Sequence, residues 1–546
     1  MTSVAKRLLF GNEAIAHAAR NAGVALGTGY PGTPSTEILE TFGELGGQAQ
    51  WSPNEKVALE VALGASYCGA RTLVTMKHVG LNVAADPFFT AAYTGVDGAL
   101  VVVSADDPGM ASSQNEQDNR HYAVAAAIPM LEPASSQEAY DFTAAAIEIS
   151  EKWHLPTLLR VTTRVCHSKT VVSPRWLFPP SDPPRFRRDI KGRVMIPAYA
   201  RPAHRRLRAK LAEIAEWVET APMTRVVEGS KSLGIITSGV TYYHVREAAP
   251  EASILKLGIT YPLPLNRIRE FAESVERCIV IEEGDPYLTT HIRAAGIAVE
   301  SKPEMYRFGE LNVERVRRIL AGDTSPEPQP PAGKLPELCA GCPYRPVYDI
   351  LHRMNCIVSG DIGCYTLGVL PPYEALDTCV CMGASIGVGL GMRHVLPPDQ
   401  ARRVVSVIGD STFIHSGLPG IVEMVYNPPP DGHVVIVLDN GTTAMTGQQE
   451  HPGTGRTLEH DPTNKVSIEE VARAIGVRRV HVLDPSREPA LFEKTLDECL
   501  HSGELCLVVA RHYCILAAPS IKEFEKRNRQ QFDFQCAPGG SETYGE

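Results

Sequence analysis

The stretch VVSVIGDS, Val404 to Ser411, is followed by HVVIVLDNGTT, His433 to Thr443. Each is an unbroken apolar run, rich in Val and Ile, that ends on polar residues: Gly409, Asp410 and Ser411 in one, Asp439 and Asn440 in the other. Such runs are strands of a parallel sheet covered on both faces. In open α/β sheets, ligands sit outside the carboxyl ends of the strands. The Asp410 carboxylate, the Asn440 carboxamide oxygen and a backbone carbonyl at Thr442 are hard donors. With diphosphate oxygens they suit an octahedral Mg²⁺, and Gly409 lets the backbone approach a phosphate. The plainer reading is two turn pairs after two strands. A Walker A loop is absent, and no G-x-G-x-x-G stands in the setting a dinucleotide needs.

The rest of the chain repeats the alternation. Its 546 residues are too many for one ordinary core. Residues 1–180 read as a first α/β domain, with TLVTM and ALVVVSAD as buried strands and NEKVALEVALGAS as an amphipathic helix. A Pro- and Arg-crowded stretch and a helix fill 181–225. A second α/β unit spans 226–322, and the Pro-rich TSPEPQPPAGKLPE leads into a third over 335–520. Residues 521–546 read as a loose tail. The fold class is α/β with three such domains.

Formal charge is −10, from 63 acids and 53 bases, with no dense basic tract. Nucleic acid and anionic membrane are poor partners on that balance. No unbroken apolar span of membrane length occurs and no signal-peptide pattern is seen, so a cytoplasmic setting is expected. Thirteen irregularly spaced cysteines are not a secreted disulfide framework. One pair, Cys339 and Cys342 in LCAGCPYRP, has C-x-x-C spacing. The nearby Cys356, Cys364, Cys379 and Cys381 make no second such pair, which a zinc ribbon would need. The pair follows a Pro-rich stretch and no strand, unlike a thioredoxin-type dithiol. Iron–sulfur ligands can scatter through a fold, so a cluster and a set of inert thiols both stay open on the residues alone.

The segments YPGTPSTEI, WSPNEKVALEVALGAS, KHVGLNVAADP, SSQNEQDNRHYA, CAGCPYR, SGDIGCYTLG, CMGASIG and GDSTFIHSG resemble the large subunit of the indolepyruvate:ferredoxin oxidoreductase family. The resemblance runs over nearly the whole chain. It implies a three-domain thiamine diphosphate fold: pyrimidine-binding, transketolase-C-like and diphosphate-binding. It implies oxidative decarboxylation of an aryl 2-oxoacid, through a thiamine enamine, to an aryl-acetyl-CoA, CO₂ and a reduced carrier. The same scaffold also serves non-oxidative decarboxylases and carboligases, and a non-catalytic scaffold subunit is a third reading.

By motif position the resemblance makes Glu55 the carboxylate beside the cofactor pyrimidine, with Glu60 ranked below it. It makes Thr33 a substrate or cofactor contact. Lys77 and His78 become candidates for holding a carboxylate or managing protons, and Arg120, near Asn115 and Gln117, a clamp for a carboxylate or a CoA phosphate. Gly383, Gly409, Asp410, Ser411, Asn440 and Thr442 fall to the cofactor, with Asp410, Asn440 and Thr442 on Mg²⁺. Cys339, Cys342, Cys364 and Cys514 correspond to ligands of a [4Fe–4S] cluster. Cys379 and Cys381 read as packing behind the glycine-rich contact. The family commonly ends in a ferredoxin-like module, and here only Cys536 follows Cys514. The expected partners are therefore a smaller catalytic subunit, and a separate iron–sulfur or flavin subunit or a ferredoxin as electron carrier.

Overall fold

A computed structural model describes residues 6–174, 183–328 and 335–535, with side chains through 527; Cys536 lies outside the described residues. The chain divides into two compact units, Met1–Pro330 and Pro331–Glu546.

The first unit holds a seven-stranded sheet. Its order is Ile259–Tyr261, Met130–Leu131, Thr157–Thr162, Leu100–Asp106, Thr72–Lys77, Leu26–Gly29 and Ala49–Trp51. All pairings are parallel except the first, where Ile259–Tyr261 runs against Met130–Leu131. The central strands are buried along their whole length, which is why Leu100–Asp106 and Thr157–Thr162 read as nearly continuous apolar runs. Helices start where a side chain can take up a free N–H: Asn54 accepts from Val57 N before Glu55–Tyr67, and Ser135 from Glu138 N before Ser136–Trp153.

A second sheet in the same unit orders Glu300–Ser301, Cys278–Val280, Ser230–Ser238, Ala252–Leu257 and Arg225–Val227. The edge strand Ile259–Tyr261 of the first sheet follows Ala252–Leu257 of the second with only Gly258 between them. The chain thus passes from one sheet to the other without a loop.

Buried charge ties the same two regions together. Arg120 is 1% exposed and donates to Asp118 Oδ1 at 2.9 Å, Glu282 Oε2 at 2.7 Å and the Glu283 carbonyl at 2.8 Å. Its neighbour Arg160 bonds Asp106 at 2.8 Å and Glu132 at 2.7 Å. Burial alone would raise the Asp118 carboxyl, but Arg120 and Arg160 hold it well below the usual range.

The second unit holds a six-stranded, all-parallel sheet in the order Thr378–Cys379, Ile357–Gly360, Val404–Gly409, His433–Asp439, Leu505–Arg511, Arg479–Leu483. Strand order reverses between Ile357–Gly360 and Val404–Gly409, and that switch point is where such sheets open a ligand crevice. Helix Ala518–Gln535 runs through the first part of the segment expected to be a tail.

Candidate active site

In the first unit the strands Leu26–Gly29, Thr72–Lys77 and Leu100–Asp106 end on the same side of the sheet. Lys77 is the last residue of its strand, and a Cβ on Gly32 would lie 3.2 Å from the Lys77 Cβ, so the turn carrying Thr33 packs on Lys77. The Lys77 ammonium donates to the Ser112 carbonyl at 2.7 Å. Burial pushes its pKa down, and the Asp107 and Glu55 carboxylates pull it back. Glu55 is 6% exposed and lies over Gly80: a Cβ there would sit 2.6 Å from Glu55 Oε1. The Thr33 turn, Glu55 and Lys77 thus meet at one end of the sheet.

His78 is fully buried beside them. Its Nε2 lies 3.2 Å from both the carbonyl and the carboxamide oxygen of Asn115. A carbonyl only accepts, so Nε2 carries the hydrogen and Nδ1 is left as an acceptor. Nδ1 is buried and has no hydrogen-bond partner. Gln117 and Asn119 both donate to the His78 carbonyl, at 3.2 and 2.9 Å. The polar segment after Leu100–Asp106 therefore holds this histidine in place.

Arg120, expected as a substrate clamp, sits among the chain's own acids. Its guanidinium is buried and committed to Asp118, Glu282 and two carbonyls, those of Glu283 and Asp285. A ligand carboxylate or phosphate would have to displace these internal partners, so Arg120 is a joint between the two sheets.

In the second unit Asp410 follows its strand directly and is 3% exposed. Its Oδ1 accepts from Ser411 N at 2.8 Å, and Oδ2 from Asn440 N and Gly441 N at 3.2 and 2.9 Å. His451 Nε2 stands 3.4 Å from Oδ2. Burial opposes its ionisation, but His451 and these N–H donors hold its pKa below the usual value. Asn440 Oδ1 accepts from Thr442 N at 3.1 Å, and the Thr443 hydroxyl donates to Ser411 Oγ at 3.0 Å. Asp410, Ser411, Asn440 and Thr442 are therefore one loop cluster at the strand ends. Among the described residues no Lys or Arg pairs with Asp410. A buried carboxylate without a cationic side chain is the setting a bound divalent cation suits, so the donor set fits Mg²⁺ and a diphosphate.

Three residues of this cluster were not legible in the sequence. Asp361 follows Ile357–Gly360 and accepts from Ile362 N, Gly383 N and Ser385 N, each at 2.9 Å. It thereby fixes Gly383, at φ +85°, and the start of helix Ala384–Val395. The signal was available: SGD at 359–361 is a polar strand end like IGD at 408–410. His451 accepts from Gly453 N through Nδ1 at 3.2 Å, so its Nε2 carries a hydrogen toward Asp410. Tyr365 presses on Gly409: a Cβ there would lie 2.6 Å from the Tyr365 ring, and one on Gly383 would lie 2.6 Å from Ser416 Cβ. Packing inside the chain is sufficient reason for both glycines.

Cys339, Cys342, Cys364 and Cys514 line a single cavity of about 90 Å³, with Asn440 in the same wall. Cys364 adjoins Tyr365, and Cys514 N donates to the Asn440 carbonyl at 2.9 Å. The cavity is thus pinned to the Asp410 cluster. Burial, with the other thiols beside them, pushes Cys342 and Cys364 each up to about 11. No three of these sulfurs lie mutually within 4.8 Å; among the described residues only Asp118, His121 and Asp285 meet that spacing. A zinc ion with bonds of about 2.3 Å would draw its sulfurs closer than that. Four cysteines around one cavity match a [4Fe–4S] cubane in ligand type and number. Cys379 donates to the Asp361 carbonyl at 3.6 Å, consistent with packing.

Residues 361–510 match the family model described as thiamine pyrophosphate enzyme, C-terminal TPP binding domain. Residues 17–177 match pyruvate flavodoxin/ferredoxin oxidoreductase, thiamine diphosphate-binding. An indolepyruvate oxidoreductase subunit IorA from Methanothermobacter thermautotrophicus is 40% identical over 95% of this chain and 88% of its own. The chain belongs to this family. A second member, from Archaeoglobus fulgidus, is 40% identical over 94% of this chain and 87% of its own. A solved 2-oxoglutarate:ferredoxin oxidoreductase from Magnetococcus marinus aligns over 58% of this chain and 65% of its own, at 19% identity and TM-score 0.49. The chain is a thiamine diphosphate-dependent oxidoreductase with an α/β fold. No helix among the described residues is long and apolar enough to cross a membrane.

Proposed function

We propose that this chain is the thiamine-bearing subunit of an oxidoreductase that decarboxylates an aryl 2-oxoacid, transfers the acyl group to CoA and passes electrons to a [4Fe–4S] cluster on Cys339, Cys342, Cys364 and Cys514. The observation that carries the reading is the shared cavity of those four thiols, walled by Asn440 and hydrogen-bonded to it through Cys514. The relatives' substrate, indolepyruvate, supports the aryl class.

Thiamine diphosphate, once bound, supplies the electron sink that decarboxylation of a 2-oxoacid needs. The chain's own residues do the rest. Asp410, Asn440 and Thr442 would hold Mg²⁺, and Ser411 and the Gly409 backbone would face the diphosphate. The Glu55 carboxylate, buried over Gly80, would accept a hydrogen bond at the pyrimidine edge. The Thr33 turn and the Lys77 ammonium orient the substrate carboxylate, and His78 Nδ1 accepts a proton or a hydrogen bond from the same ligand. Cys342 and Cys364 would ionise only with a metal to bind, because burial holds both near 11. A smaller catalytic subunit and an iron–sulfur, flavin or ferredoxin carrier complete the path.

The test is electron paramagnetic resonance of the anaerobically prepared complex. An aryl 2-oxoacid with CoA should reduce a [4Fe–4S] signal. Iron-free protein that still turns over would overturn the assignment in favour of a non-oxidative decarboxylase.

A further inference from the structure

A second cavity, of about 220 Å³, lies in the first unit where helix Pro197–Val218 meets the end of helix Ala85–Thr94. Its walls include Gly95, Asp97, His154, Arg193, Arg206 and Lys210. The chain's surplus of acid is reversed here: between Arg185 and Lys210 the only acidic residue is Asp189.

The charges in the cavity do not cancel. Arg193 is committed, to Asp97 at 2.5 Å and to the Gly95 carbonyl at 3.0 Å, with its guanidinium 4.4 Å over the Tyr67 ring. Asp189 caps the start of the short helix Ile190–Arg193, accepting from Gly192 N at 2.9 Å. Arg206 and Lys210, one turn apart on the same helix, have no hydrogen-bond or ion-pair partner among the described residues. Glu213 is the nearest acid on that helix and only partly offsets Lys210. Burial, then the Arg206 and Arg193 charges, push Lys210 down from its ordinary pKa. Arg206 is exposed and Lys210 half-buried, and with Arg193 they gather positive potential in one hollow that an anion would offset.

The cavity is too small for a drug-sized ligand, for which about 300–1,000 Å³ is usual. Residues 95–97 and 154 precede the strands Leu100–Asp106 and Thr157–Thr162, whereas Lys77 and the Glu55 cluster sit at the opposite ends of the sheet. A seven-residue strand at about 3.3 Å per residue separates the two by roughly 20 Å.

We propose that this cavity binds a phosphate-type oxyanion, held by Arg206 and Lys210 and remote from the thiamine cluster. Arg in particular matches the spacing of phosphate oxygens. The occupant is either free phosphate or the phosphate group of a small ester, and it would brace helix Pro197–Val218 against helix Ala85–Thr94.

The test uses the full complex saturated with thiamine diphosphate and Mg²⁺, so that the diphosphate loop is filled. Inorganic phosphate is titrated against chloride at matched ionic strength, by calorimetry and by thermal unfolding, and glycerol 3-phosphate is the ester probe. The expected result is saturable binding of one phosphate per chain and a raised unfolding temperature. Both should vanish in Arg206→Ala with Lys210→Ala and return in part in Arg206→Lys. Tighter binding of the ester than of phosphate would identify the ester as occupant; the reverse would identify free phosphate. Non-saturable binding, or equal binding in the double variant with its unfolding temperature unchanged, would overturn the site.

Discussion

Gly80 leaves room for Glu55: a methyl group there would lie 2.6 Å from the Glu55 Oε1. Real Cβ contacts do not come that close, so Gly80→Ala has to move the carboxylate. A misplacement of about 1 Å at a reacting group costs on the order of 100-fold in rate. Gly80→Ala should therefore lower kcat by about that factor while thiamine diphosphate affinity changes little, since the diphosphate cluster lies in the other unit. Steady-state kinetics and cofactor titration check both halves. Full turnover in Gly80→Ala would remove Glu55 from the pyrimidine edge.

Cys364→Ser and Cys514→Ser should each lower the iron content of anaerobically purified complex. Cys356→Ser should not, because Cys356 does not line the thiol cavity. Iron analysis with the visible absorption spectrum reads this directly. Unchanged iron in both cavity variants would place the cluster elsewhere.

Arg120→Met separates a joint from a clamp. Removing one partner of a buried ion pair costs about 3–5 kcal/mol; here Glu282 would lose its cation and Asp118 would keep only Arg160, 3.9 Å away. The expected outcome is a marked fall in unfolding temperature. A variant of native stability whose only change is a raised KM for the 2-oxoacid or CoA would restore the clamp.

His433 makes the second unit acid-sensitive. It is buried, its Nε2 bonds Ser406 at 2.8 Å, and burial, with Arg393 nearby, pushes it down to about 3. Unfolded, it protonates near pH 6.5. Its contribution is therefore complete above about pH 6.5 and is lost as pH falls toward 3, at about 1.4 kcal/mol per unit. Between pH 6.5 and 5.0 the wild type should lose about 2 kcal/mol more than His433→Gln, read by urea unfolding. Parallel losses in the two proteins would falsify this account.

How far the sequence could be read follows from where the information sits. Val404–Gly409 and His433–Asp439 were legible because a strand buried on both faces must be apolar at every position. Their polar ends pointed to Asp410 and Asn440 for the same reason. The three-residue strand Ile259–Tyr261 is too short to carry a period, and its place beside Met130–Leu131 depends on a partner far off in the chain. The surroundings of Arg120 were not legible because the acids that bury it lie as far away as Glu282. Asp361 had a signal, the polar strand end SGD, whereas His451 escaped because its role rests on a backbone N–H group and a distant carboxylate, which leave no trace in spacing. The cysteine set came only from resemblance, since C-x-x-C alone does not say where a third and fourth thiol stand.

The strand Ile259–Tyr261 also bears on how the chain is made. A ribosome that has released the first 227 residues has delivered six of the seven strands of the first sheet. The outer edge of Met130–Leu131 is then bare, with unpaired backbone groups open to another chain. It closes only when synthesis has passed Tyr261 and the second sheet has begun to form around it. The N-terminal sheet is therefore not a module that can be cut out at the linker: a fragment ending near residue 225 should self-associate where the longer fragment 1–330 stays monodisperse.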